Sequence, residues 1–305
     1  MADQIKVILW ACPRTVSSAF LKCMDKVPES KMVFEMFSTA QYFGPDRVVP
    51  VNTKERLTPL PGLITDKTQQ EILKDPGCGF DSSICTYKWL KHHMETGYPD
   101  KKVVIFKEIC YSAEGKFEYL PDSGCRHAFL IRNPIKVLHS WMQQAITVAD
   151  NFSDRYGSIQ IDDTMFFPHE EVFKAMYDLY SYVKEKGLDP DPVILDADDL
   201  VNDPATILSG FCKSLGIPYS DELLSWDAGV DVVKDWSISQ PLYDIIKHDP
   251  SFENFRNSTC FFKPNVKSHM PRSEAEWSAD LREYVQRHTD SAMPYYKEMH
   301  KKRMN

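Results

Sequence analysis

Residues 5–24 read IKVILWACPRTVSSAFLKCM, an apolar run followed by a short polar turn and an amphipathic segment. The run Ile5–Ala11 is short and β-branched, which predicts a buried strand. The segment 17–26 carries Phe20, Leu21 and Met24 at helical spacing, which predicts a helix. Because a helix start presents unpaired amide groups and the positive end of a dipole, we expect the turn to hold an anion.

Apolar runs and helical segments keep alternating along the chain. Further strands are predicted over 31–35, 102–106, 128–131 and 192–196, and further helices over 84–96, from 133, over 169–186 and over 204–215. Loops are predicted over 44–80 and irregular structure over 227–272, with a polar helical segment from 273. This order predicts an α/β fold with a central parallel sheet covered by helices on both faces. Ligands of such folds bind beyond the carboxyl ends of the strands, where the turn after Ala11 would lie.

Composition narrows the class of protein. The 305 residues are 43% hydrophobic and carry a net charge of −8, which disfavours a broad nucleic-acid or anionic-membrane surface. Eight cysteines are scattered without a CxxC pair or zinc-ligand spacing, so no metal site is expected and a reduced compartment is favoured. The N-terminus lacks a basic region and a cleavage site, and no apolar run is long enough to span a bilayer. We therefore expect a cytoplasmic protein with no nucleic-acid or membrane partner.

The polar turn allows two interpretations. Arg14, Thr15, Ser17 and Ser18 supply a guanidinium and three hydroxyls to an anion at the helix start. Alternatively, Ser17 simply caps the helix and Arg14 lies in solvent. The Walker pattern and the G-x-G-x-x-G pattern are both absent from the sequence, so an ordinary ATP or NAD site is disfavoured.

The stretch PRTVSS, residues 13–18, resembles the 5′-phosphosulfate loop of sulfotransferases that use PAPS (3′-phosphoadenosine 5′-phosphosulfate). The family pattern is Pro-Lys/Arg-Ser/Thr-Gly-Thr/Ser-Thr/Ser, and Val16 stands where glycine is common. Valine rarely adopts the positive φ that a glycine there permits. The resemblance implies that Arg14, Thr15, Val16, Ser17 and Ser18 bind the cofactor.

Two later stretches extend the resemblance. FLIRNPIKVLHSW, residues 129–141, is similar to the family's 3′-phosphate motif, which implies that Arg132 and Ser140 bind that phosphate. ILDADDLVNDPATILSGFCKSLGIPYSDELL, residues 194–224, is similar to the strand, acidic turn and helix found late in sulfotransferases. We interpret Asp198, Asp199 and Asp203 there as caps of turns and helices.

Two carboxylates are candidates for the catalytic base. KVVIFKE, residues 102–108, resembles the strand that ends in Lys-Thr-His in cytosolic sulfotransferases, but here Lys107 is followed by Glu108 and the histidine is missing. Glu35 ends the strand predicted over 31–35, at the same sheet edge as the turn after Ala11. It resembles the glutamate of bacterial-like sulfotransferases, so we take it as the base. Glu108 is the second candidate, and Glu35 is alternatively only an ion-pair partner of Arg14 or Lys107.

The resemblance implies a P-loop-like sulfotransferase fold in one domain over 1–305, recognisable over 5–225 and variable over 227–305. It implies in-line transfer of a sulfuryl group from PAPS to a hydroxyl or amine of a small-molecule acceptor, with PAP as product. Arg14 is expected at the leaving oxygen and Lys107 as a second cation. Alternatives are a small-molecule kinase on a related sheet or a non-catalytic nucleotide-binding protein.

Overall fold

A five-stranded parallel sheet organises the protein. The structure is a computed structural model that describes residues 4–47, 78–142, 171–261 and 279–304. The strands are β1 (Ile5–Ala11), β2 (Ser30–Phe34), β3 (Val103–Ile109), β4 (Arg126–Ile131) and β5 (Val193–Asp196). Their order is β2-β3-β1-β4-β5, and every neighbouring pair is parallel. The predicted α/β class is confirmed.

Helices cover both faces of the sheet, and 3-10 turns join several of them. The helices are α1 (Ser17–Met24), α2 (Met36–Tyr42), α3 (Tyr87–Thr96), α4 (residues 134–142), α5 (Glu171–Glu185), α6 (Ala197–Asn202), α7 (Pro204–Leu215), α8 (Gln240–His248), α9 (Glu253–Asn257) and α10 (Ala279–His300). Within the residues described, no helix combines the length and apolar character needed to cross a membrane.

Two hydrophobic cores follow from the alternation of side chains along β1. Val7, Leu9 and Ala11 belong to the core that α1, α7 and α8 cover, whereas Ile8 and Trp10 belong to the core under α2, α3 and α5. All five side chains are fully buried. A strand buried on both faces needs a continuous apolar run, which is the pattern that predicted it.

Two predicted boundaries were wrong in ways that matter for the site. Strand β3 extends to Ile109 because its pairing with β1 continues through Glu108 and Ile109 after its pairing with β2 ends at Lys107, so Lys107 and Glu108 lie inside the strand. Residues 227–272 are not irregular throughout, since α8 and α9 lie within them. Helix α8 starts after Ser239 and buries Leu242, Ile245 and Ile246, which is an amphipathic pattern that the sequence contained.

The carboxyl ends of the parallel strands meet at one edge of the sheet. The turn after β1, Glu35 after β2, and Arg132 after β4 all lie at this edge. Strand β1 is central, and the chain places β3 on one side of it and β4 on the other, which creates the crevice where open α/β sheets bind ligands. Parts of three predicted elements lie outside the described residues. They are residues 48–77 of the predicted loop, residues 169–170 of the predicted helix 169–186, and residues 273–278 of the C-terminal segment.

Candidate active site

The turn between β1 and α1 has an unusual backbone. Arg14 has φ 68° and Val16 has φ 56°, both in the left-handed region. Val16 precedes the first helical residue, Ser17, and no side chain caps the helix. The alternative in which Ser17 is the cap is therefore wrong. A β-branched residue at positive φ costs about 1–2 kcal/mol, and such strain is typical of functional sites.

The amide groups of this turn are available to a ligand. Within the described part of the chain, the backbone N–H groups of residues 15–19 donate no hydrogen bond, and the helical ladder begins with Phe20 N–H to the Val16 carbonyl at 3.0 Å. Thr15 Oγ1 donates to the Cys12 carbonyl at 2.7 Å and is fully buried. Its hydroxyl proton therefore braces the turn, which differs from the expectation that Thr15 offers its hydroxyl to the anion. The unpaired amides nevertheless fit an anion.

Three predicted phosphate-binding side chains lie together although they come from distant parts of the chain. Arg14 Nε donates to Ser140 Oγ at 2.9 Å, and Arg132 Nη1 donates to the Arg14 carbonyl at 2.8 Å. Arg14 follows β1, Arg132 follows β4, and Ser140 lies two turns into α4. Because β1 and β4 are hydrogen-bonded neighbours, their carboxyl ends bring the two arginines together at the sheet edge, and we call the place where Arg14, Arg132 and Ser140 meet the arginine cleft.

Two guanidinium groups this close create a strongly positive site. Burial, and secondly the charge of Arg132, lower the pKa of Arg14 to about 10. Arg14 remains charged at neutral pH, and the lowered pKa reflects a guanidinium that is held away from water and beside a second cation. An anion with several oxygens would relieve this repulsion and use the donors that Arg14 directs away from Ser140.

Lys107 and Glu35 form a buried ion pair one strand away. Lys107 Nζ bonds to Glu35 Oε1, and the side chains are 2% and 13% exposed. Lys107 also lies over the Phe34 ring at 4.8 Å, and it pairs with Leu9 of β1 in the sheet. Glu35 has φ 49° at the start of α2. The pair places a carboxylate and a cation at the sheet edge, and it also agrees with the alternative in which Glu35 is an ion-pair partner.

Glu108 has a different environment. Its two carboxylate oxygens accept the backbone N–H groups of Met36 and Phe37, each at 2.9 Å, and the side chain is fully buried. Residues 107 and 108 point to opposite faces of β3, so Glu108 lies under α2 instead of beside Lys107. A carboxylate that already accepts two amides and has no access to solvent is poorly placed to take a proton from an acceptor.

Burial raises the pKa of Glu108 to about 8, against the two amides, which lower it. Because this pKa is above that of an unfolded glutamate, the stability that the protonated acid provides is present at low pH and is lost as pH rises through about 8. We therefore expect the free energy of unfolding to fall between pH 5 and pH 8.5, and Glu108→Gln to flatten that dependence. Urea unfolding across this pH range tests it, and equal slopes for both proteins would show that Glu108 is charged throughout.

Part of the chain matches a known protein family. Residues 172–260 match the family model described as a sulfotransferase domain. The resemblance to sulfotransferases is confirmed. The matching stretch runs from α5 through α9, so it follows Arg14, Arg132 and Ser140 in the chain. It includes residues 227–260, which belong to the part that we expected to be variable.

Other proteins match longer parts of this chain. Branched-chain-amino-acid aminotransferase-like protein 1 of Arabidopsis thaliana is 30% identical over 231 residues, which are 75% of this chain and 33% of that protein. The chain thus spans about a third of the length of the curated relatives it matches. A sulfotransferase from Alicyclobacillus acidocaldarius aligns over 100% of this chain and 98% of its own, with TM-score 0.47 and 10% identity. The sulfotransferase domain of the Synechococcus PCC 7002 olefin synthase aligns over 95% and 94%, with TM-score 0.46 and 14% identity. At these TM-scores the likeness carries no conclusion about activity.

Of the three aspartates after β5 that were predicted to be caps, the prediction was correct for Asp203 and wrong for Asp198 and Asp199. Asp203 Oδ1 accepts the Thr206 amide and caps α7, as expected. Asp198 and Asp199 do not cap α6, because Asp196 accepts their amides at 2.8 and 3.4 Å. Instead, Asp199 pairs with Arg303 at 2.6 Å, and Asp198 faces the arginine cleft.

The sequence did not indicate two tyrosines that lie near Glu35, and it gave Arg256 no role. Tyr42 and Tyr111 lie within the electrostatic reach of Glu35, and burial first, then the Glu35 charge, raises the pKa of both phenols. Neither belongs to a recognised motif, so nothing in the sequence indicated them. Arg256, which faintly echoes a late family motif, donates to the carbonyls of Ile246 and Asp249 and braces the chain between α8 and α9.

Proposed function

We propose that this protein transfers a sulfuryl group from PAPS to a hydroxyl or amine of a small-molecule acceptor. The observation that carries the proposal is the direct contact of Arg14 and Arg132, the 2.8 Å bond from Arg132 to the Arg14 carbonyl. PAPS has two anionic groups on one nucleotide, so an enzyme that binds it needs two neighbouring anion sites. The sulfotransferase-domain match over 172–260 supports the same reaction.

The residues divide between the two ends of the nucleotide. The free amides of residues 15–19 and the Arg14 guanidinium would bind the 5′-phosphosulfate, with Ser17 and Ser18 beside them. Arg132 and Ser140 would bind the 3′-phosphate. Ser140 accepts from Arg14, and among the described residues its hydroxyl proton has no acceptor, so it can be donated to a phosphate oxygen. Val16 contributes its backbone, which the positive φ turns toward the helix start.

The transfer itself needs positioning and charge stabilisation more than covalent chemistry. The acceptor oxygen or nitrogen forms a bond to sulfur while the bond from sulfur to the bridging 5′-phosphate oxygen breaks, and the bonding electrons leave with PAP. Glu35 takes the acceptor proton. Arg14 and Lys107 stabilise the charge on the leaving oxygen and on the transferred group, and Arg14 does so without proton transfer because it stays charged.

We also propose one domain over 1–305. Trp226, Trp236 and Phe255, which lie beyond the stretch 5–225, belong to the same core as Leu9 and Phe20. All eight cysteines are free thiols, which supports a reducing, cytoplasmic location. A kinase remains disfavoured because the Walker lysine is missing from the sequence.

The experiment combines a calorimetric titration with PAP and an acceptor screen with labelled PAPS. We expect PAP to bind in the micromolar range and label to reach at least one small hydroxyl or amine compound. PAP binding without transfer to any acceptor would favour the non-catalytic alternative, and absence of PAP binding would refute the proposed site.

Arg14→Ala tests the 5′ end of the cleft. We expect PAP affinity to fall by about 30-fold, since a hydrogen-bonded charge contributes roughly 2 kcal/mol. Arg132 bonds to the carbonyl of residue 14, which alanine retains, so the variant removes the guanidinium and leaves that bond in place. The PAP affinity of Arg14→Lys should lie between those of the wild type and Arg14→Ala, because lysine keeps the positive charge but lacks the forked donors of arginine. Unchanged calorimetric affinity in both variants would place Arg14 outside the site.

A further inference from the structure

Asp198 lies between two cations at the arginine cleft. Arg132 Nε is 3.4 Å from Asp198 Oδ1, and Lys136 Nζ is 3.0 Å from Asp198 Oδ2. Lys136 lies in the first turn of α4, four residues after Arg132 and four before Ser140. Residues four apart lie on the same face of a helix, so Lys136 and Ser140 share one face of α4.

We propose that Lys136 is a second cation of the 3′-phosphate site, and that Asp198 is the positioning residue that holds it beside Arg132. This inference rests on the proposed function and adds to it a residue that gives the site its selectivity for a 3′-phosphate over a 3′-hydroxyl.

The geometry leaves room for this role. Arg132 uses Nε toward Asp198 and Nη1 toward the Arg14 carbonyl, and within the described residues its remaining donors have no partner. A phosphate that takes those donors and the Ser140 hydroxyl lies on the α4 face that carries Lys136. The Lys136 side chain is 54% exposed, so its ammonium group is free to exchange one Asp198 oxygen for a phosphate oxygen.

The charges favour that exchange. A phosphate monoester carries nearly two negative charges at neutral pH, against one on Asp198. Asp198 meanwhile keeps its contact with Arg132, so the carboxylate is not left unpaired. In the absence of ligand, Asp198 restricts a long and flexible ammonium to the edge of the cleft, which reduces the ordering cost when the phosphate arrives.

The test uses two probes that differ in the 3′-phosphate, PAP and AMP, titrated by calorimetry. In Lys136→Gln we expect PAP affinity to fall about 5- to 20-fold, as for one charged contact, and AMP affinity to change less than about 2-fold. Lys136→Arg should restore most of the PAP affinity. Lys213→Gln, which removes an exposed charge from α7, is the matched control and should leave both affinities unchanged.

A double-mutant cycle tests the part played by Asp198. If Asp198 positions Lys136, then Lys136→Gln in an Asp198→Asn background should weaken PAP less than about 2-fold, whatever Asp198→Asn does alone. Equal losses of PAP and AMP affinity, or no loss of either, would overturn the role of Lys136 while the proposed function stands. A full effect of Lys136→Gln in the Asp198→Asn background would overturn the role of Asp198 alone. A wild-type protein that binds no PAP would refute the site and this inference together.

Discussion

Arg132→Gln is expected to lower the affinity for PAP by about 100-fold or more, which is the largest effect on binding. Two or more charge-assisted hydrogen bonds to the phosphate, together worth roughly 3 kcal/mol, are lost. The bond from Arg132 to the Arg14 carbonyl is also lost, so the 5′-phosphosulfate turn loses its brace. Calorimetry with PAP measures the affinity, and thermal unfolding without ligand shows whether the fold is retained.

Arg287→Gln is the matched control for that variant. Arg287 is exposed on α10, where it lies over the Tyr284 ring, and its loss changes the net charge by the same amount. We expect its PAP affinity to equal that of the wild type. If both arginine variants bind PAP as the wild type does, the cleft does not hold the 3′-phosphate, and the nucleotide lies elsewhere.

Glu35→Gln is expected to leave PAP affinity nearly unchanged and to reduce turnover by about 10²- to 10⁴-fold, the range that a general base contributes. Glutamine keeps the shape of the side chain and an oxygen for Lys107 Nζ, but it cannot take the acceptor proton. Initial rates with PAPS and an acceptor found in the screen measure turnover, and calorimetry measures PAP binding in the same preparation.

Glu29→Gln provides a close control for Glu35. Glu29 also has positive φ, at 58°, and pairs with Lys102 at 2.8 Å, but it precedes β2 at the opposite end of the sheet. We expect normal turnover in this variant. Normal turnover in Glu35→Gln would exclude Glu35 as the base, whereas a parallel fall in turnover and PAP affinity would show that Glu35 acts by holding Lys107.

Local patterns determined the elements of the fold. Strand β1 was predicted with its observed bounds because an apolar, β-branched run signals a strand buried on both faces. Helix α7 was predicted with its observed bounds, which the structure explains: Asp203 caps it, Pro204 opens it and Gly216 ends it in the left-handed conformation. Helix α8 contains a comparable pattern, but Pro and aromatic residues around it favoured the interpretation as irregular chain.

The sequence by itself determined where most strands and helices lie, because strand and helix periods are local properties of the chain. It did not determine the end of β3, where pairing with β1 carries the strand through Lys107 and Glu108. Only the tertiary structure decided which residues meet. Arg132 reaches Arg14 across 118 positions because β4 pairs with β1, and no local pattern encodes that pairing. Glu35 lies beside Lys107 because β2 pairs with β3, and Glu108 lies under α2 because successive side chains of β3 point to opposite faces and α2 packs on the second of them.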